Sequence, residues 1–171
     1  MTNALLEREP LFLTRNSLPV TSRSQLIALL NKRLADCLDL QLQAKVAHWN
    51  VKGPSFIGLH QLFDTIHGSL VEYADLIAER AVQLGGTAQG TARLVAMRSG
   101  LDEYPTDLAV ERHHVEAMSG ALATFGAAAR RAIDEAAHLG DAGTADLFTE
   151  ISRGIDKSLW LVEAHLQSEL A

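Results

Sequence analysis

Apolar side chains recur at helical spacing in four long segments of the chain, and sharp breaks separate the segments. The first predicted helix begins with Thr21 or Ser22 as its cap and runs to about residue 51. The second follows a Ser55 cap and runs to about residue 84. The third begins at residues 104–107 and ends near residue 138, and the fourth spans about residues 144–170. A short helix is also predicted near residues 92–97.

The connections between these helices predict how they pack. Lys52, Gly53 and Pro54 form a short first turn, and Gly140 lies in a short last turn. A connection of about 20 residues separates the second and third helices. Two antiparallel hairpins joined by a crossover predict an all-α four-helix bundle with a short helix in the crossover. Residues 1–20 are predicted to be an extended N-terminal tail, and residues 21–171 the bundle domain.

Composition narrows the function classes. The 171 residues are 47% hydrophobic and 21% charged, which is typical of one compact domain. Neither a membrane-spanning run nor a secretory signal is found, and the single Cys37 excludes an internal disulfide, so we expect a cytoplasmic protein. Acidic residues outnumber basic ones by 21 to 15, a net charge of −6 that does not favour nucleic acid.

The second helix carries metal-ligating residue types along one stripe. If His60 is placed at zero, Asp64, Asp75 and Glu79 fall at ~40°, ~60° and ~100° around the helix axis. Asp64 and Asp75 are nevertheless ~16 Å apart along that axis. One helix therefore cannot bring all four side chains to one metal ion, and they form two half-sites.

The two half-sites mirror each other. His60 with Glu79, and Asp64 with Asp75, share the same sequence midpoint at 69.5. Two copies of this helix packed antiparallel across a two-fold axis would therefore complete two metal sites, each shared between subunits. His48 and His60 each lie six residues from Pro54, so they are expected to be level in the helix pair. Two imidazoles and three carboxylates suit iron or manganese better than a closed zinc site.

Other interpretations of these residues exist. Carboxylates on a helix face are usually solvated and bind no metal ion. If that holds here, the protein would be a purely structural helical oligomer. A di-iron centre inside one bundle requires Glu-x-x-His motifs. Two such motifs occur, Glu111 with His114 and Glu135 with His138, but both lie on the third helix ~36 Å apart, so they cannot serve one centre.

Several segments together resemble one family. His48-Trp49-Asn50-Val51-Lys52-Gly53, residues 78–86, Tyr104-Pro105, Asp146, and Asp156-Lys157 with Trp160 closely resemble Dps, the DNA-binding protein from starved cells, a mini-ferritin. The resemblance covers nearly the whole chain after the tail. It implies a ferritin-like bundle that assembles into a hollow homododecamer around a ferric mineral. The implied ferroxidase centre joins one subunit to its two-fold mate, with the metal and catalytic ligands His48, His60, Asp64, Asp75 and Glu79.

The resemblance also implies the substrates and supporting residues. Fe²⁺ would be oxidised to Fe³⁺ by H₂O₂ or O₂, with zinc as a competitor. Trp49 beside His48 would quench stray oxidants, while packing is expected for Trp160. Arg80 and Asp156 would form an ion pair. A three-fold pore for iron entry would be lined by acidic residues at the start of the fourth helix: Asp141, Asp146 and Glu150.

Three expectations, for the tail, His67 and Cys37, depart from that family pattern or lie outside it. The tail holds Arg8 and Arg15 against Glu7 and Glu9 and has no lysine, so DNA binding is predicted to be weak or absent. A DNA-compacting protein located with the nucleoid is the alternative. His67 lies ~20° from the metal stripe. We expect a packing or solvent role for it, with an extra ligand as the alternative, and a core position for Cys37.

Overall fold

The computed structural model describes residues 11–167, and in that range the chain forms five α-helices and no strand. The helices are α1 (Val20–Asn50), α2 (Phe56–Gln83), α3 (Ala92–Arg98), α4 (Glu111–His138) and α5 (Ala142–Glu163). The all-helical prediction is confirmed. The last helix was predicted to run to about residue 170, but it ends at Glu163 and residues 164–167 form turns, so that prediction was wrong; residues 168–170 lie outside the described residues.

The long helices pack as two hairpins. α1 lies along α2 and α4 lies along α5, while α3 of the crossover packs on α1. Their apolar stripes meet in one core, where Phe63, Phe125 and Phe148 are fully buried. Burial of each such side chain contributes about 1.5–3 kcal/mol. No described helix is both long enough and apolar enough to cross a membrane.

The turn between α1 and α2 packs against the first residue of α4, Glu111. Gly53 has φ +146°, and a Cβ there would lie 2.4 Å from Glu111 Oε2. The same oxygen accepts a hydrogen bond from the Ser55 backbone N–H at 2.9 Å. Ser55 is the N-cap residue of α2, as predicted, but its side chain makes no capping hydrogen bond. Glu111 satisfies that backbone donor from another helix instead.

The helix starts predicted for α1 and α4 were also displaced. α1 begins at Val20 after Pro19 and has no side-chain cap from Thr21 or Ser22. Pro19 is the N-cap residue, and its carbonyl oxygen accepts the first helical hydrogen bond, from the Arg23 backbone N–H at 3.0 Å. α4 begins at Glu111, several residues later than predicted, because the preceding loop is held by a buried pair. Tyr104 and His114 Nδ1 are hydrogen-bonded at 2.7 Å.

Residues 11–19 form no helix and lie at the end of α2. The Phe12 backbone N–H donates to the Gly85 carbonyl at 2.8 Å. The Arg23 guanidinium donates to the neighbouring Leu84 carbonyl at 2.9 Å. Leu11 and Leu18 pack against the core. This part of the predicted tail is therefore bonded to the bundle.

Candidate metal centre

The α1–α2 hairpin brings His48 and His60 into direct contact. Their rings stack with centroids 3.7 Å apart and an interplanar angle of 23°. His48 lies in the last turn of α1 and His60 in the first turns of α2. The prediction that the two histidines are level about Pro54 is therefore confirmed.

Reciprocal hydrogen bonds fix the orientation of both rings. His48 Nδ1 lies 2.7 Å from the His60 carbonyl oxygen, and His60 Nδ1 lies 2.8 Å from the His48 carbonyl oxygen. A carbonyl oxygen can only accept, so each Nδ1 must carry the proton and donate it. In the neutral ring, Nε2 then keeps its lone pair. This is the tautomer that a metal-binding imidazole needs, and a backbone carbonyl is a common outer partner for it.

Asp64 lies beside this pair but is engaged by a cation. Lys45 Nζ on α1 forms an ion pair with Asp64 Oδ1. His48 Nδ1 lies 4.0 Å from the same oxygen. The hydrogen bond from Lys45 holds the pKa of the exposed Asp64 carboxyl below its usual value, and the nearby His48 and His67 act in the same direction. Asp64 is therefore an anion whose Oδ1 atom is already paired with Lys45, so any cation at this oxygen would compete with the lysine.

Sequence reasoning missed Lys45. The available signal was its position three residues before His48, which places both side chains on one face of α1. A lysine is not a metal ligand when charged, so a search restricted to ligand types passes over it.

Asp75 and Glu79 form the second half of the predicted set. Both are exposed on α2, about three and four turns beyond Asp64. Within the described residues of one chain, no three His, Cys, Asp or Glu side chains converge on a possible metal position. The exposed apolar Val71 and Leu76 lie on α2 between and beside these carboxylates. Apart from the adjacent backbone of α2 itself, nothing in residues 11–167 lies within 4 Å of a Cβ built at Gly68. The outer surface of α2 therefore carries exposed carboxylates, exposed apolar side chains and open space.

Comparison with known proteins identifies the family. The ferritin-like domain family matches residues 27–170. A "DNA protection during starvation protein" from Agrobacterium fabrum is 46% identical over 156 residues, covering 91% of this chain and 96% of that protein. The chain belongs to the Dps family.

Solved Dps structures show the same fold. Mycobacterium smegmatis Dps superposes with a TM-score of 0.88 at 31% identity, covering 94% of this chain and 91% of that one. DpsC from Streptomyces coelicolor has a TM-score of 0.90 at 28% identity and covers 99% of both chains. The ferritin-like four-helix bundle with a helical crossover is therefore confirmed for this Dps chain.

One of the three predicted pore residues is placed elsewhere in this Dps chain. Asp141 is the N-cap of α5 and is only 4% exposed. It accepts two 2.8 Å hydrogen bonds from Arg80 Nη2, and others from Thr144 Oγ1 and the Gly143 backbone N–H. Burial would raise the pKa of Asp141, but the bonds from Arg80 and Thr144 hold it below its usual value. Asp141 therefore ties α2 to α5, and its assignment to a pore was wrong.

The same contacts correct the predicted ion pair. Arg80 is bonded to Asp141, whereas Asp156 accepts a 2.7 Å hydrogen bond from Arg130 of α4. The expected pair of Arg80 with Asp156 is therefore not formed within the chain. Asp146 and Glu150 are exposed one turn apart on α5, and their role in a pore stays a prediction.

The remaining candidates divide into structural and surface residues. Glu111 and His114 stabilise the turn and loop described above, which agrees with treating their Glu-x-x-His spacing as chance. Trp49 is 65% exposed and Trp160 is 61% exposed, so the packing role expected for Trp160 is not found among residues 11–167. Cys37 is buried as expected, and burial strongly raises the pKa of its thiol.

Proposed function

We propose that this Dps chain oxidises Fe²⁺ at sites shared by two-fold related subunits and stores the ferric product inside a homododecamer. The observation that carries the proposal is the stacked His48–His60 pair, in which both Nδ1 atoms are bonded to carbonyl oxygens and both Nε2 atoms are left for a metal ion. Donors of this kind beside Asp64 fit Fe²⁺, which accepts both imidazole and carboxylate ligands.

The second subunit would supply what one chain lacks. If two α2 helices pack antiparallel about position 69.5, His60 of one chain faces Glu79 of the partner subunit, and Asp64 faces Asp75 of the partner subunit. Exposed Val71 and the open surface at Gly68 allow the helices to approach closely along this line. Two-fold symmetry then produces two equivalent sites in each dimer.

The imidazoles, the carboxylates and the lysine of the site would have different roles because their chemistry differs. The imidazoles hold Fe²⁺ in the orientation that their backbone hydrogen bonds fix. The carboxylates favour the harder Fe³⁺ product and stabilise its higher charge. Lys45 balances the charge of Asp64 before iron arrives, and its ammonium group moves aside when the cation binds.

Peroxide is the oxidant that we propose. Each of two Fe²⁺ ions loses one electron, the O–O bond of H₂O₂ breaks, and two protons complete two water molecules. Because both electrons are taken together, no hydroxyl radical is released. The Fe³⁺ ions then hydrolyse to a ferric oxyhydroxide core, releasing protons. The exposed Trp49, next to His48 in the chain, is suited to intercept any oxidant that escapes.

Charge supports iron rather than DNA as the partner. Asp146 and Glu150 would form rings around three-fold pores that attract Fe²⁺. A net charge of −6 per chain would repel DNA, so weak or absent DNA binding is part of the proposal. A clear gel shift at neutral pH without added divalent metal would contradict it.

Stopped-flow measurement of iron oxidation tests the function. Assembled protein receives Fe²⁺ and then H₂O₂ or O₂, and the ferric absorbance is followed. His48→Ala and Asp75→Asn should each slow oxidation strongly, with the peroxide reaction faster than the oxygen reaction in the wild type. His138→Ala and Asp134→Asn, exposed residues of α4, are matched controls and should oxidise iron at the wild-type rate. Equal rates in all five proteins would refute the proposed site.

A further inference from the structure

A cavity of about 440 Å³ lies between α1 and α4, outside the proposed iron site. None of the proposed iron ligands lines it. Arg33 at the cavity and His48 are 15 residues apart on α1, which is ~22 Å along the helix axis. The short side chains of Ala128 and Ala132 on α4 leave space there between the two helices. Three cationic side chains and one carboxylate also line this cavity: Lys32, Arg33, Arg131 and Glu135.

The Arg33 guanidinium is buried at this cavity and is only partly bonded. Its side chain is 8% exposed, and Nη2 forms an ion pair with Asp36 Oδ2 at 3.2 Å. Nε is also buried, yet no atom of residues 11–167 forms a hydrogen bond with it. Among the described residues it is the only buried side-chain nitrogen or oxygen atom without such a partner. Because buried donors are almost always bonded to protein, water or a ligand, Arg33 has a donor left for an added acceptor.

Positive charge exceeds negative charge around the cavity. Asp36 does not line it, and Asp36 Oδ1 accepts a 2.8 Å hydrogen bond from the Gly100 backbone N–H. Burial lowers the pKa of Arg33, and Asp36 opposes this effect. Arg131 lowers that pKa further and Glu135 raises it, so both lie close enough to act on Arg33 across the cavity. The three cations outnumber the two nearby carboxylates, whereas the whole chain has a net charge of −6. An anion in the cavity would therefore be attracted and would stabilise the charged form of the buried guanidinium.

The donors at the cavity fit a phosphate group. An arginine presents a planar fork of N–H donors that binds two phosphate oxygens at once, and a lysine adds a compact charge. The fork would use Nε and a terminal nitrogen of Arg33, while Lys32 and Arg131 would approach from the two helices. We propose that the cavity between α1 and α4 binds a phosphate group, held by Arg33, Lys32 and Arg131. This site is independent of the proposed iron oxidation, since no iron ligand contributes to it.

Calorimetric titration of the assembled, iron-free protein with inorganic phosphate tests the site, in a phosphate-free buffer at constant ionic strength. Arg33→Lys keeps a cation beside Asp36 but removes the arginine fork. Arg131→Met removes one charge at an exposed position, so it tests the site without disturbing the core. Arg153→Met, the same change at an exposed arginine of α5 that does not line the cavity, is the matched control. Sedimentation of each variant establishes that it is assembled.

We expect one phosphate per chain in the wild type and in Arg153→Met. Arg33→Lys and Arg131→Met should each bind phosphate at least about tenfold more weakly, because each loses a charge-assisted hydrogen bond. Adenosine monophosphate, titrated in the same way, distinguishes two sources of the phosphate group. Tighter binding than that of inorganic phosphate would assign the cavity to nucleotides, and equal or weaker binding would assign it to the free anion.

A wild type that binds neither compound would overturn the proposal. Arg33→Lys and Arg131→Met variants that bind phosphate as tightly as Arg153→Met would overturn it too. Either result would leave the proposed iron oxidation untouched, because the iron ligands lie outside the cavity.

Discussion

Replacing Asp141 by asparagine separates a structural role from a role in iron entry. The carboxylate is 4% exposed and the Arg80 side chain that it faces is 18% exposed. Asparagine retains the shape and can still accept from Gly143 and Thr144, but it removes the negative charge. The Arg80 guanidinium would then remain largely buried beside a neutral amide.

The loss of stability expected for Asp141→Asn follows from the burial of the Asp141–Arg80 ion pair. Removing one partner of a buried ion pair typically costs 3–5 kcal/mol, and a hydrogen bond to a charged group contributes about 1.5–3 kcal/mol. Because Arg80 keeps some access to water, we expect about 2–4 kcal/mol from the lower parts of these ranges. Asp146→Asn makes the same chemical change on the same helix at an exposed position. It should alter stability by no more than about 0.5 kcal/mol.

Urea unfolding at fixed protein concentration measures both variants, since assembly makes stability depend on concentration. A double-mutant cycle with Arg80→Met should show that the second substitution costs much less once the first is present. The low pKa of Asp141 also sets the pH dependence. A group whose pKa is depressed on folding stabilises the protein above its unfolded pKa of about 3.9, and the contribution is lost as pH falls below that value. An Asp141→Asn variant as stable as Asp146→Asn at pH 7 would refute this reasoning.

Three further predictions concern single contacts. Lys45→Met frees the Asp64 carboxylate, so Co²⁺ should bind more tightly than to the wild type in a calorimetric titration; weaker binding would contradict competition by Lys45. Burial lowers the pKa of His114 in the folded chain. Below about pH 6.5 the unfolded chain therefore binds more protons than the folded chain, and the free energy of unfolding decreases as the pH is lowered. Tyr104→Phe should cost about 1 kcal/mol at pH 7 in urea unfolding, and His114→Gln should flatten the pH dependence. Burial raises the pKa of the Cys37 thiol, so a thiol reagent at pH 8 should label it only after denaturant is added, and rapid labelling of the native protein would contradict its core position.

The sequence predicted the features of the fold that depend on the helical periodicity of its apolar residues. The 3.6-residue repeat located the helices and placed His60, Asp64, Asp75 and Glu79 on one stripe, because helix geometry is nearly independent of tertiary contacts. The level positions of His48 and His60 followed from a short turn of known centre. These features were local, or involved only one hairpin.

Contacts between distant segments could not be predicted in the same way. Tyr104 delays the start of α4 because it pairs with His114, and a pattern of apolar residues does not show such a bond. Asp141 is an acidic residue at a helix start, where a capping role and a pore role have the same sequence signature. Its partner Arg80 lies 61 residues away, and only the packing of α2 against the α4–α5 turn brings the two together.

A mixing experiment tests most directly whether the iron site is shared between chains. His60→Ala damages the histidine half-site and Asp75→Ala damages the carboxylate half-site, so each variant alone should oxidise iron slowly. When the two are dissociated, mixed in equal amounts and reassembled, half of the two-fold dimers combine both chains, and each such dimer regains one intact site of two. A shared site should therefore recover about one quarter of the wild-type activity. No recovery in reassembled mixtures of verified composition would contradict a shared site.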